Sequence, residues 1–166
     1  AATIMEVSED GQDDIVNIHL EADGKCKEFI SLNLPNQNCP LAEPHKNPEN
    51  LHIQMAGKDV YKYVMQKIPA IINKTLEEAN LSIDDIDYFI PHQANLRMIE
   101  ALTTRIKIAP EKVLHNIEHY GNMSATSVPC VIAEKLKSGE LKTPSTVLLS
   151  AFGAGMTSAG AIIKLR

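Results

Sequence analysis

Six aliphatic residues, Val60, Val64, Ile68, Ile71, Ile72 and Leu76, recur at three- and four-residue spacing, and nothing else in the sequence restricts the fold as strongly. That period puts one apolar stripe on a helix of about six turns, which must lie against an equally apolar surface. Pro69 falls inside the stripe and should bend the helix. Downstream, short runs apolar on both faces alternate with further helical spacing. The pattern predicts strands at 87–90, 113–117, 146–151 and 161–165, and helices at 96–106 and 124–136, the last ended by Gly139. Such strands alternating with helices imply an α/β fold whose largely parallel sheet is covered on both sides.

The first third has a different character. Residues 1–7 and 15–20 are β-like and are separated by "SEDGQDD", whose Asp-Gly favours a turn, so a hairpin is expected. Residues 33–50 pack four prolines and five asparagines into one stretch, too rich in breakers for a core element, and read as a long surface loop.

With 166 residues and 44% hydrophobic content the chain suits one globular domain. Sixteen Lys and Arg against 21 Asp and Glu give a net charge of −5, and no basic run interleaves with aromatics. A nucleic-acid partner is therefore not expected, nor is an anionic membrane surface. Three cysteines, Cys26, Cys39 and Cys130, are an odd number without CxxC spacing, which argues against a disulfide framework and for a reducing compartment. The sequence shows neither an 18-residue apolar run nor a charged-then-apolar leader, and it reads as soluble and cytoplasmic.

One stretch calls for chemistry. In "YFIPHQANLRMIEAL", residues 88–102, a buried strand runs into Pro91, His92, Gln93 and Asn95 before the next helix begins. Ligands of open α/β sheets gather at the carboxyl ends of strands, where His92 and Asn95 fall. Asn122 precedes the helix predicted from 124, and Gly153, Ala154 and Gly155 follow the strand "STVLLSA". Taken alone, His92 reads as a core or capping histidine, Asn122 as a turn residue and the glycines as chain reversals. Taken together, three loops after three strands can bring an imidazole, a carboxamide and bare amides to one point, a donor set suited to a developing oxyanion in acyl transfer.

A different chemistry competes. "HNIEH", residues 115–119, fits the H-x-x-E-H pattern of a zinc peptidase, with His115 and His119 as ligands and Glu118 as base. That pattern needs a stable helix, whereas the residues before it are β-like and Tyr-Gly-Asn follows directly.

At four places the sequence resembles the ketoacyl-acyl carrier protein synthase III family, condensing enzymes of the thiolase fold, in their carboxyl-terminal half. The motifs are "HIQMAGKDVYK" (52–62), "PHQANLRMIEA" (91–101), "HYGNMSATSVPC" (119–130) and "LLSAFGAGMTSAGAII" (148–163), in the family's order. The resemblance implies half of a thiolase fold, a mixed five-stranded sheet with helices on both faces. Residues 1–8 then match the last strand of the amino-terminal half, and 9–166 the carboxyl-terminal domain. It also implies decarboxylative condensation of an acyl-CoA primer with malonyl-acyl carrier protein at the start of fatty acid synthesis, without a cofactor. His92 and Asn122 match the pair that hydrogen-bonds the malonyl thioester carbonyl. Gly153, Ala154 and Gly155 match the oxyanion loop, and Phe152 an aromatic near the nucleophile. Asn95, Gly57 and Tyr61 match positions along the pantetheine and acyl channel, while Arg97 and Lys62 match carrier-protein docking positions. The implied partners are acyl carrier protein, an amino-terminal half and a second copy in a homodimer.

Three departures bear on activity. The family carries its acyl group on a cysteine in an Ala-Cys-Ser or similar context, and none of the three cysteines has that context. The chain matches the family only from the end of its amino-terminal half, so the expectation is a fragment or split subunit that does not condense alone. "GMTSAG" lacks a tryptophan common among relatives, and Lys58 stands where an amide is frequent. A non-catalytic module that binds carrier protein or coenzyme A is the alternative.

Overall fold

A computed structural model describes residues 2–7, 11, 13–32 and 53–166. The predicted loop at 33–50, with Cys39, lies outside the described residues. The elements run β1 (Ile15–Ala22), β2 (Ile30–Leu32), β3 (Ile53–Met55), α1 (Gly57–Glu78), β4 (Tyr88–Pro91), α2 (Leu96–Ile106), α3 (Ile117–Tyr120), α4 (Ser127–Ser138), β5 (Ser145–Gly153) and β6 (Thr157–Leu165). None of the described helices is long and apolar enough to cross a membrane.

The apolar stripe forms as the spacing predicts. Val64, Ile68 and Ile72 on α1 are fully buried, each stabilising the fold by roughly 1.5–3 kcal/mol relative to exposure. They pack with Met98 and Leu102 of α2 against Phe89, Leu148 and Ile162 on one face of the sheet. The neighbouring strand residues Ile90 and Val147 point the other way and pack with Val131 of α4, Leu114 and Leu141. Helices thus cover both faces, and strands apolar on alternate residues become apolar on both sides. α1 continues through Pro69, whose missing N–H leaves the Met65 carbonyl without its helical donor.

The sheet is mixed and four-stranded, in the order β1-β6-β5-β4, with a separate β2-β3 pair, rather than five-stranded and largely parallel. Only β4 and β5 run parallel; β5-β6 and β1-β6 are antiparallel. The missing fifth strand is the segment expected at 113–117. It begins beside β4, with a parallel bridge from Val113 to Phe89 and the Leu114 N–H on the Phe89 carbonyl at 2.9 Å. Asn116 then starts α3 and turns the chain away. The hairpin expected between residues 1–7 and 15–20 does not form either. β1 pairs with β6 from Ile15↔Ile163 to Ala22↔Thr157, and residues 2–7 carry no regular structure.

β5 and β6 form a hairpin closed by Ala154, Gly155 and Met156, so the glycines lie in a tight reversal rather than an open loop. Gly155 has φ +133°, and a Cβ there would stand 3.0 Å from Thr157 Cγ2, so any other residue would be strained at this position. Asp87 sets the register at the other end of the sheet. Its N–H donates to the Thr146 carbonyl at 3.0 Å and its carboxylate accepts the Thr146 N–H at 2.8 Å.

Candidate active site

His92 is the first residue beyond β4. Its N–H donates to the Ser150 carbonyl at 2.7 Å and extends the parallel ladder by one step, which holds the backbone beneath the imidazole. The ring stands edge-on to Phe152 of β5, with centroids 5.2 Å apart and planes at 85°. Burial lowers the His92 pKa from the ordinary histidine value, because a charged ring would lose its hydration without gaining a counter-ion. Among the described residues neither ring nitrogen has a hydrogen-bond partner. A neutral imidazole with an uncommitted N–H is what remains.

Asn122 arrives from the other direction. After α3 the chain reverses at Gly121, φ +67°, and the Asn122 carboxamide oxygen accepts the Ser124 N–H at 2.8 Å. That contact occupies the oxygen and leaves the Nδ2–H groups as donors.

Both residues line one cavity of about 920 Å³ at the carboxyl ends of β4 and β5. Phe152, Gly153, Ala154, Asn95, Gly57 and Tyr61 line it as well. Of the residues singled out in the sequence, Gly155, Arg97 and Lys62 do not. Gly155 is committed to the hairpin turn, while Arg97 and Lys62 are exposed on α2 and α1. Lys62 stands 3.7 Å from Asp59 one turn earlier, a surface pair of small energetic weight. Asn95 is also the N-cap of α2, its Oδ1 accepting the Met98 N–H at 2.9 Å, so any contact with a ligand falls to its Nδ2.

Several lining residues were not legible in the sequence. Ile30, Ile53 and Met55 of the β2-β3 pair wall the cavity, although their short strands flank residues that read only as loop. Glu21 reaches it from β1 and also meets His19 Nε2 at 3.2 Å. Only the period-two alternation of β1 could have pointed to it.

The peptidase geometry is not present. α3 has four residues and begins at Ile117, so His115 precedes it and cannot share a helical face with His119. His115 Nδ1 instead pairs with Glu118 Oε2 at 3.0 Å. Among the described residues no group of three or more His, Cys, Asp or Glu is placed to hold a metal ion.

The family described as 3-oxoacyl-[acyl-carrier-protein (ACP)] synthase III, C terminal, matches residues 76–165. Beta-ketoacyl-[acyl-carrier-protein] synthase III of Clostridioides difficile is 40% identical over 99% of this chain and 49% of its own length. The enzyme of the same name from Microcystis aeruginosa is 34% identical over 99% of this chain and 50% of its own. Among solved structures, 3-oxoacyl-[acyl-carrier-protein] synthase III from Aquifex aeolicus superposes with a TM-score of 0.80 at 31% identity, covering 96% of this chain and 46% of that one. The chain spans about half the length of the curated relatives it matches. The mixed sheet with helices on both faces is therefore half of a thiolase fold, and the chain belongs to the 3-oxoacyl-[acyl-carrier-protein] synthase III family as its carboxyl-terminal half.

Proposed function

We propose that this chain supplies the decarboxylation side of a condensing site that joins an acyl primer to malonyl-acyl carrier protein at the start of fatty acid synthesis. The observation that carries the proposal is the shared cavity, which gathers an uncommitted neutral imidazole, an uncommitted carboxamide NH₂ and the hairpin backbone at Gly153 and Ala154. As the malonyl carboxylate leaves as carbon dioxide, its bonding pair passes to the adjacent carbon and the thioester oxygen becomes an enolate. N–H groups of His92 and Asn122 stabilise that oxygen, and a neutral donor suits it because no proton need leave the site. The enolate carbon then attacks an acyl-cysteine thioester, expelling the thiolate. The thioesters and the loss of carbon dioxide supply the driving force, so no cofactor is called for.

The acyl-bearing cysteine belongs to an amino-terminal half of the same protein or a separate subunit. Cys26 packs beside α1 and Cys130 lies on α4, and neither lines the cavity. Carrier protein docks on the exposed cations Arg97 and Lys62, and the complete enzyme is a cytoplasmic homodimer. The absence of a described cysteine from the cavity favours one other reading, a module that binds carrier protein or coenzyme A without condensing. The test is to supply an amino-terminal half carrying the Ala-Cys-Ser context in trans and to measure condensation beside coenzyme A binding. Condensation supports the enzyme reading, binding without condensation supports the module, and a pair that neither condenses nor binds overturns both.

A further inference from the structure

We infer that Gln93, Asn116 and Glu134 form a polar clamp behind the cavity that sets where Asn122 stands relative to His92. The inference rests on the reading in which those two residues serve one carbonyl oxygen. None of the three clamp residues lines the cavity, so their part is positioning.

Gln93 is 0% exposed and Asn116 1%. Gln93 uses both ends of its amide: Nε2 donates to the Pro91 carbonyl at 2.7 Å and Oε1 accepts the Asn116 N–H at 3.2 Å. The residue next to His92 is thereby tied to the residue that starts α3. The Asn116 carbonyl in turn accepts the N–H groups of His119 at 3.0 Å and Tyr120 at 3.2 Å, and the Gly121 N–H closes on Ile117 at 2.8 Å. From Asn116 to Asn122 the chain is thus one hydrogen-bonded turn followed by a reversal, a short lever with the carboxamide at its tip.

The lever is also held from its far side. Asn116 Nδ2 donates to Glu134 Oε2 of α4 at 2.7 Å, a charge-assisted contact. α4 begins at Ser127, whose Oγ accepts the Met123 N–H at 3.1 Å. Residues 117–126 therefore form a loop pinned at its base by Asn116–Glu134. An aliphatic side chain in place of Gln93 would take a partner from both the Pro91 carbonyl and the buried Asn116 N–H, so the amide holds these two backbone segments in one fixed relation. Among the described residues Asn116 Oδ1 is buried without a partner, as expected if the side chain is oriented by the demand of Glu134 for a donor.

The test exploits the polarity of the Asn116–Glu134 contact. Asn116→Asp sets two carboxylates against each other, and Glu134→Ala removes the acceptor. Glu134→Gln keeps an acceptor, and in Asn116→Asp/Glu134→Gln the introduced amide donates to the introduced carboxylate. With an amino-terminal half supplied, Asn116→Asp and Glu134→Ala lower kcat at least about 10-fold with little change in KM, since donors displaced by a fraction of an ångström act mainly on the transition state. Glu134→Gln and the double variant return to within about threefold of the parent, a rescue that lost packing would not show. In the isolated chain, amide exchange at Asn116 and Ser124 quickens in Asn116→Asp and slows again in the double variant. Unchanged kcat in Glu134→Ala, or a double variant no better than Asn116→Asp, overturns the clamp. If the parent pair shows no condensation, the functional reading fails, and exchange at Ser124 alone decides the clamp: unchanged in Asn116→Asp refutes it, faster and then restored supports it.

Discussion

The Asn122 carboxamide accepts the Ser124 N–H through its oxygen at 2.8 Å, and this contact decides which end of the side chain can serve the cavity. Removing the NH₂ end is therefore separable from breaking the turn. Asn122→Asp keeps an oxygen for Ser124 and replaces the donor with negative charge, whereas Asn122→Ala loses both. With the amino-terminal half supplied, Asn122→Ala and His92→Ala each lower kcat about 10²–10³-fold, the usual cost of losing one oxyanion donor. Asn122→Asp falls further, because its carboxylate repels the enolate. Asn122 is exposed, so the losses in its variants should not pass through unfolding. Circular dichroism melts within a few degrees of the parent, alongside the rate losses, meet the expectation; an active Asn122→Asp enzyme refutes it.

The ionisation of His92 gives a second expectation. Burial lowers its pKa in the folded chain, whereas the unfolded ring titrates near the ordinary value, about 6.5. Below that pH the unfolded state binds a proton that the folded state refuses, so the stability contributed by neutral His92 is complete above it and is lost as pH falls through the folded pKa. The condensation rate follows the same neutral form and should stay level on acidification through the ordinary histidine range, declining only beyond it. Nitrogen-15 spectra of the ring across pH 4–8 report the folded pKa directly. A ring that titrates at or above the unfolded value contradicts the burial argument.

Cys26 provides a check on where the nucleophile is. Its thiol pKa is raised, first by partial desolvation against the core and then by the charge and hydrogen bond of Asp23. A thiol held in that state is a poor nucleophile at neutral pH. Iodoacetamide should label Cys26 more slowly than free cysteine at pH 7.5, and Cys26→Ser should leave condensation in the reconstituted pair unchanged. Loss of activity in that variant would place the acyl group on this chain after all.

The parts of this structure that were legible in the sequence are those governed by local periodicity. The stripe from Val60 to Leu76 became α1, residues 96–106 became α2 at those bounds, and Gly139 ended α4 in the left-handed conformation its lack of a Cβ permits. The site was legible from local pattern where a side chain follows a strand end, as at His92, whereas Phe152, inside β5, was reached only through the family resemblance. One misreading arose where a distant contact overrode a local signal. Residues 113–117 leave the sheet at Asn116, whose N–H meets Gln93. No short-range pattern announces a contact between residues 23 positions apart. The apolar wall from β2 and β3 was hidden for the same reason, since three-residue strands carry too little alternation to read.

Gly160 joins the fold to a last prediction. It lies on β6 opposite His19 of β1 and faces α1, where a Cβ would fall inside the contact distance of Thr75 Oγ1 and stand 3.2 Å from Ile71 Cγ2. Thr75 has little room to yield, because it is fully buried and its hydroxyl donates to the Ile71 carbonyl at 2.8 Å. Its own carbonyl accepts from Asn17 Nδ2 at 3.1 Å, so the helix is also anchored to β1 at this point. Gly160→Ala should therefore force α1 outward and cost about 1–3 kcal/mol, the usual range for overpacking a closed core. Trimming the obstacle tests the cause. In a Thr75→Ala background the same substitution should cost at least about 1 kcal/mol less, a coupling expected only of residues in contact. Urea denaturation of the four chains of this cycle measures the difference, and strictly additive losses would show that the close approach of β6 to α1 does not require the glycine.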